Sequence, residues 1–375
     1  MAEPQIQKGL AGVTVDTTAI SKVVPETNSL TYRGYAVQEL CAEASFEEVA
    51  WLMWNGELPD ADELDRFKAE EAKRRELSDD HIEVIRRIPP AAHPMDALRT
   101  AVSYLGTMEI AWGGEPELAD RDRALDLFAK IPTMIATDYR FRTGEVRIAP
   151  REDLPMVENF FNMCFGEVPP PEVIKAFDTS MILYAEHSFN ASTFTVRTIA
   201  SSRSDIFSAV TGGIGSLKGP LHGGANEAVM KMFLEIGDPD TAEQWMREAI
   251  ARKRLVMGFG HRVYKSGDSR VPTMRSCLED LAAWKGDDTW IRMSDGLQKV
   301  MIDEKGIHPN LDFPAGPSYH MMGFDIEMFT PIFVMSRITG WTAHYLEQNL
   351  DNRLIRPLSA YDGVAQRPVP PIGER

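Results

Sequence analysis

Cysteine is scarce: the 375-residue chain has three, Cys41, Cys164 and Cys277. The odd count and the lack of any C-x-x-C pair exclude a disulfide framework and a thiolate zinc site. Three buried, reduced thiols in a cytoplasmic protein are the expectation. Positive charge is also short, with 40 Lys and Arg against 56 Asp and Glu and a formal net charge of -16. General nucleic-acid binding needs basic stripes to neutralise phosphates, so that class is excluded. A small anionic substrate is not, because a few arginines can invert the field inside a cleft. No apolar run approaches the ~18 residues that span a bilayer. The opening Met1-Ala2-Glu3-Pro4-Gln5 lacks the basic start and apolar run of a signal peptide, which again points to the cytoplasm. Dinucleotide and P-loop signatures are missing as well. Gly213-Ile214-Gly215-Ser216-Leu217-Lys218-Gly219 is glycine-rich, but it has neither G-x-G-x-x-G spacing nor a G-K-[ST] ending.

What is present is the composition of a soluble globular protein, 43% hydrophobic and 26% charged, and enough chain for two domains sharing a large core. The periodicity is mainly helical. Met95, Leu98, Val102 and Leu105 keep helical spacing after Pro94. Residues Asp120 to Ala136 read as a helix that Pro132 kinks or ends. After the breaker Pro169-Pro170-Pro171, Val173 to Glu186 reads as another. Thr241 and Gln244 have the form of a capping box. Asp325 to Gln348 is a long apolar helical pattern interrupted by Pro331 and Gly340. Strand signals are few: Val13 to Val23, Ser29 to Tyr32, and Val146-Arg147-Ile148. There is no βαβ alternation, internal repeat or low-complexity tract. The pattern predicts a mainly α, two-domain fold with a small N-terminal β element.

Two of the eight histidines stand in settings that are costly to maintain. His222 lies in Gly219-Pro220-Leu221-His222-Gly223-Gly224-Ala225-Asn226, and His261 in Gly258-Phe259-Gly260-His261-Arg262-Val263-Tyr264. Flanking glycines give up chain entropy and let backbone approach a ligand, although a glycine-flanked histidine also serves as an ordinary turn residue. His187 ends a helical pattern, where the helix dipole favours histidine anyway. Asp312 follows Pro309-Asn310-Leu311. Arg270 follows His261 at loop distance, Arg337 interrupts an apolar helical face, and Arg356 precedes Pro357. A buried arginine needs an anionic partner. For Arg337 that partner is either an internal acid or a ligand carboxylate gripped by its guanidinium. Two histidines and a carboxylate suit acid/base chemistry on a small anion, and their composition equally fits a two-histidine, one-carboxylate metal site.

These residues resemble the citrate synthase family. The block Gly258-Phe259-Gly260-His261-x-Val263-x-Lys265-x-x-Asp268-Ser269-Arg270 matches its signature. Gly219-Pro220-Leu221-His222-Gly223-Gly224-Ala225-Asn226, Glu186-His187-x-x-Asn190, Asn310-Leu311-Asp312 and Ser336-Arg337-x-x-Gly340-Trp341 match its other motifs. The likeness runs from about Lys8 to Pro357. The opening Lys8-Gly9-Leu10-Ala11-Gly12-Val13 resembles the short bacterial branch that includes 2-methylcitrate synthases.

The resemblance implies a nearly all-α homodimer, with a large domain of residues 1–222 and 330–375 and a small mobile domain of residues 223–329. It implies condensation of propionyl-CoA with oxaloacetate to 2-methylcitrate, together with activity on acetyl-CoA, and no metal or other cofactor. Asp312 would be the base, His222 the donor to the thioester oxygen, and His261 the acid at the oxaloacetate carbonyl. His187, Asn190, Arg270, Arg337 and the partner subunit's Arg356 would hold oxaloacetate. Leu255, Val256, Met257, Gly258, Gly260, Lys265 and Lys305 would meet CoA. A citrate synthase preferring acetyl-CoA, a metal-dependent lyase or hydrolase, and a non-catalytic acyl-CoA binder are the alternatives.

Overall fold

The computed structural model describes residues 6–24, 27–108, 116–261, 263–264 and 267–375. Among these are sixteen α-helices and one three-stranded sheet, so the mainly α expectation with a small N-terminal β element is met. Strands β1 (Ser21–Val24), β2 (Ser29–Tyr32) and β3 (Tyr35–Ala36) run antiparallel, in register Ser21 to Tyr32 and Tyr32 to Tyr35. The Tyr32 hydroxyl reaches the Ile182 and Glu186 carbonyl oxygens, both at 3.0 Å.

The core is organised around the helix Phe329–Leu350. Every residue from 329 to 345 is buried, as expected of a helix that is apolar on all sides. Pro331 falls in its first turn, where a missing N–H breaks no intrahelical bond. Gly340 does not interrupt it; packing outweighs the intrinsic penalty of roughly 1 kcal/mol. The helix begins later than its sequence pattern suggests, after a 3-10 turn at Ile326–Met328.

Helix Pro171–Tyr184 starts with Pro171 at its first position. Helix Ala191–Ser201 follows, with Asn190 as its N-cap. The six-residue link between them carries His187. Residues 223–329, expected as the smaller domain, contain helices Ala225–Ile236, Ala242–Ala251, Val271–Lys285, Thr289–Lys305 and Asp312–Met321.

Three local expectations give way. Thr241 makes no capping bond to its helix. Its hydroxyl donates to the Asp238 carbonyl at 2.8 Å, and Asp238 caps the preceding 3-10 turn instead. Val146-Arg147-Ile148 is irregular: Arg140 takes the Val146 carbonyl at 2.8 Å, and Arg147 pairs with Glu76. The first strand begins at Ser21 rather than Val13. Pro132 lies inside a helix that continues to Arg142. All three cysteines are buried and unpaired, and burial pushes the Cys277 thiol up to about 11. No helix among the described residues is long and apolar enough to cross a membrane.

Candidate active site

The link from Ala185 to Asn190 is fixed from below. Ser21 accepts the Ser188 N–H at 2.9 Å and donates to Glu186 at 2.9 Å. His187 is thereby set against His261, with ring centroids 4.9 Å apart. It is buried and its Nε2 has no protein partner. Burial first, then the positive charge of Arg270, hold its pKa well below the usual value, so the ring is neutral. Arg337 lies beside it, also buried. Its Nε donates to the Tyr184 carbonyl at 2.7 Å, and its guanidinium sits 4.7 Å over the Phe333 ring. Its Nη1 has no partner, and no ion pair to it occurs among the described residues. Burial lowers its pKa to about 10, which still leaves it charged at neutral pH. The internal-acid reading of Arg337 therefore lacks its ion pair.

Arg270 is different. Its Nε and Nη2 grip Asp268 bidentately at 3.0 and 2.7 Å. Burial would raise the Asp268 pKa, but the guanidinium wins and holds it far below the carboxylate range. Asp268 also accepts the Leu311 N–H at 3.1 Å, so the pair ties the 268–270 turn to the segment carrying Asp312.

His222 also packs on Phe333, edge to face, with ring centroids 6.3 Å apart. Burial, then Arg337, lower its pKa to about 3. Its Nε2 accepts the Ser192 backbone N–H at 3.3 Å and lies 2.8 Å from the Ser192 hydroxyl. A backbone N–H only donates, so the ring proton is on Nδ1. Trp341 supports the arrangement by donating to Ser192 Oγ at 3.1 Å. Glycine follows His222 because a Cβ on Gly223 would stand 2.7 Å from the Leu217 carbonyl oxygen.

His261 has the opposite tautomer. The N–H groups of Val263 and Tyr264 both donate to its Nδ1, at 3.1 and 3.3 Å, which leaves the proton on Nε2. Burial and then Arg270 lower its pKa to about 4. Its loop turns at Gly258 (φ 84°) and Gly260 (φ 80°), a backbone region where side chains are strained. It is stitched to the next segment by Gly260 N–H to the His308 carbonyl at 2.8 Å and Asn310 N–H to the Gly258 carbonyl at 2.9 Å.

Asp312 opens the helix Asp312–Met321 and is half-buried. Its Oδ1 accepts the Tyr184 hydroxyl at 2.7 Å. Burial raises its pKa to about 6, and the Tyr184 bond moderates the rise. Tyr184 in turn packs on Phe333 at 4.3 Å. Asp312, His222 and Arg337 are thus gathered around one tyrosine and one phenylalanine.

His187, His222, His261, Arg270, Arg337 and Asp312 therefore meet in one place. Asn190 has another use than the oxaloacetate contact expected of it. Its Oδ1 accepts the Thr193 N–H at 3.1 Å and the Ser192 hydroxyl at 2.9 Å, and its Nδ2 donates to Ser188 and Thr193. The side chain is saturated as a helix cap that holds the support of His222. Arg356 lies in the exposed segment after the central helix, and no hydrogen bond or ion pair among the described residues joins it to the pocket. Of the residues expected to meet CoA, Leu255 is exposed, Val256 and Met257 are half-buried, and Lys305 ends its helix in solvent. Lys265 lies outside the described residues. Among the described residues no three His, Cys, Asp or Glu side chains are placed to hold a metal ion. Sequence reading missed Tyr184, Ser192, Ser21 and Tyr32. The signal was available for Tyr184, three residues before His187 at the end of a helical pattern.

Comparison with known proteins agrees with this geometry. The family described as "Citrate synthase, C-terminal domain" matches residues 9–358. A citrate synthase of Mycolicibacterium smegmatis is 56% identical, over 97% of both chains. A 2-methylcitrate synthase of Mycobacterium tuberculosis is also 56% identical, over 98% of this chain and 93% of that one. The structure of a citrate synthase from Thermoplasma acidophilum, in a ternary complex with carboxymethyl coenzyme A and oxaloacetate, superposes with a TM-score of 0.93 at 33% identity, covering 99% of this chain and 100% of the other. Motif order, fold and full-length identity coincide, and the chain belongs to the citrate synthase family.

Proposed function

We propose that the protein condenses propionyl-CoA with oxaloacetate and hydrolyses the thioester to release CoA and 2-methylcitrate, and that it also accepts acetyl-CoA. One observation carries the reading. Two buried nitrogens, His187 Nε2 and Arg337 Nη1, have no protein partner, and they lie in the same site as a carboxylate whose pKa is raised toward neutrality. Buried polar atoms without partners are costly, and the polar groups of oxaloacetate, above all a carboxylate on Arg337, satisfy them.

The chain's own groups divide the chemistry. Asp312 takes the α-proton of the acyl thioester. Burial makes it a stronger base than an ordinary aspartate, while it stays ionised at neutral pH. No carboxylate deprotonates so weak an acid unaided, so charge must be stabilised where it develops, on the thioester oxygen. His222 does this through Nδ1–H, because Ser192 occupies Nε2. A neutral imidazole donates a hydrogen bond without giving up its proton prematurely. The enol carbon then attacks the oxaloacetate carbonyl, and His261 delivers the proton it holds on Nε2 to the new alkoxide. Water hydrolyses the resulting thioester. Residues 223–329 close over oxaloacetate before the thioester binds, which keeps CoA thioesters from idle hydrolysis. Leu255, Val256, Met257, Gly258, Gly260 and Lys305 line the CoA path.

Arg356 acts in the partner's site. Its segment carries exposed Leu354, Leu358, Tyr361, Val364 and Val369, an apolar set suited to wrapping a second copy. The propionyl preference follows the relatives named 2-methylcitrate synthase at 51 to 56% identity. An acetyl preference is the second reading, favoured by the citrate synthase of M. smegmatis at equal identity. One methylene discriminates by only ~1–3 kcal/mol, so both activities are expected. CoA release with oxaloacetate, measured as kcat/KM for each thioester, decides. A clear acetyl preference reverses the assignment, and no release with either thioester removes it.

A further inference from the structure

Glu186 precedes His187, is fully buried, and takes part in none of the steps above. Its Oε1 accepts the Ser21 hydroxyl and His344 Nε2, both at 2.9 Å. Arg197 donates to His344 Nδ1 at 3.1 Å, so the His344 proton is on Nε2 and points at Glu186. Arg197 is itself neutralised by Glu347 at 2.7 Å and Asp16 at 3.2 Å. The other carboxylate oxygen, Oε2, has no partner. Its position is set by Gly340, where a Cβ would collide with Oε2 and with the Ala185 carbonyl. Gly340 is three residues beyond Arg337 on one helix, and hence on the same face. A buried carboxylate with an unpartnered oxygen thus lies one turn from a buried guanidinium with an unpartnered nitrogen.

We propose that Glu186 is a positioning residue for the oxaloacetate pocket: it is the counter-ion of Arg337 while the pocket is empty, and its charge weakens dianion binding. The charge count supports this. Asp268 already neutralises Arg270, and Arg197 has its own acids, so Arg337 is left with Glu186. Against burial, Glu186 is the strongest influence keeping Arg337 protonated. When a dicarboxylate enters, Arg337 acquires a second anion, and Glu186 then opposes it as a like charge. A neutral residue of the same shape leaves the guanidinium uncompensated in the empty pocket and strengthens its pull on ligand. The charge protects the free enzyme and eases departure of a tricarboxylate product. The inference rests on the oxaloacetate reading of the site.

Calorimetric titration of the whole protein with oxaloacetate tests it. Glu186→Gln is expected to bind about tenfold more tightly than wild type. Its unliganded melting temperature should fall, its ligand-induced rise should exceed that of wild type, and kcat should drop as product leaves more slowly. Equal or weaker binding by Glu186→Gln overturns the proposal. Glu186→Asp retains the charge and should bind within about twofold of wild type; tightening there too would remove charge as the cause. If Glu186→Gln does not fold, Ser21→Ala serves. Because Ser21 also holds the Ser188 N–H beside His187, its loss can cost affinity by geometry, so the Ser21→Ala readout is the direction of change in the ligand-induced melting shift relative to Glu186→Asp. A tenfold affinity loss in Glu186→Asp, which keeps the charge, would make the role geometric and sink the idea. Wild type failing to bind oxaloacetate defeats the parent reading, whereas wild type binding with no tightening in the Gln variant defeats this inference alone.

Discussion

Around His187 and Arg337, side chains do the holding: Ser21, Glu186, His344 and Arg197 form a buried side-chain network beneath them, and the Tyr32 hydroxyl reaches the Glu186 carbonyl. Around His261, backbone holds the ring, through the N–H groups of Val263 and Tyr264 and a pair of positive-φ glycines. The pocket floor therefore depends on the chemical identity of distant residues, and the rim on chain geometry. The floor has few ways to move, because each polar atom of a buried network has one good arrangement. The rim can shift as a segment while keeping its internal bonds. The proposed order, in which oxaloacetate is gripped and the rim closes over it before the thioester binds, is well served by that difference.

The comparison can be broken at several points. The largest effect belongs to Asp312, where rim and floor meet: Asp312→Ala should lower turnover at least ~100-fold, the low end for a general base. Near-normal turnover in a folded variant removes Asp312 as the base. Next is the floor. Arg337→Gln should raise the oxaloacetate KM roughly 30-fold or more while changing the thioester KM little, and steady-state kinetics with each substrate varied in turn would reveal a failure to separate.

The Tyr184 hydroxyl couples floor to base. It stabilises the ionised form of Asp312, so Tyr184→Phe should raise that pKa. Activity requires the carboxylate, so it falls as pH drops through about 6 in wild type, and in the variant this acidic limb should move to higher pH. A pH–rate profile unmoved by the substitution would show that Tyr184 merely packs. The smallest effect is expected at the exposed rim. Lys305→Ala should raise the thioester KM only about two- to fivefold and leave oxaloacetate untouched; an oxaloacetate defect instead would mean rim and floor are not separable.

The same contrast explains what the sequence revealed. The rim is written in glycines, and Gly258, Gly260 and Gly223 stand where positive φ or a close approach demands them, so His261 and His222 were legible from their neighbours. The floor is written in ordinary residues. Nothing local marks Ser192 as the support of His222, or Ser21 and Tyr32 as the base under His187, since each acts across more than a hundred residues or through a helix cap. Asn190 caps a helix in the structure, a task its residue type could not distinguish in sequence from ligand binding, because a cap and a ligand-binding amide have the same composition. Thr241 and Gln244 show the converse: the capping pattern was there, but a competing aspartate at 238 took the turn. Arg337 was readable because a charge interrupting an apolar helical face needs an anion, although the sequence alone left open whether that anion is an internal acid or a ligand.

One tie lies far from the cleft in sequence. Asp16 and the Ala19 N–H, which donates to Glu347 at 2.8 Å, bind the segment before the sheet into the cluster that ends at Glu186. For anyone producing the enzyme, the segment from Asp16 to Ala19 is therefore not disposable. A chain trimmed there, or carrying a bulky fusion close to Asp16, would fold around the same helices yet lose part of the charge balance under its substrate pocket. Kinetics recorded on it would describe a different enzyme.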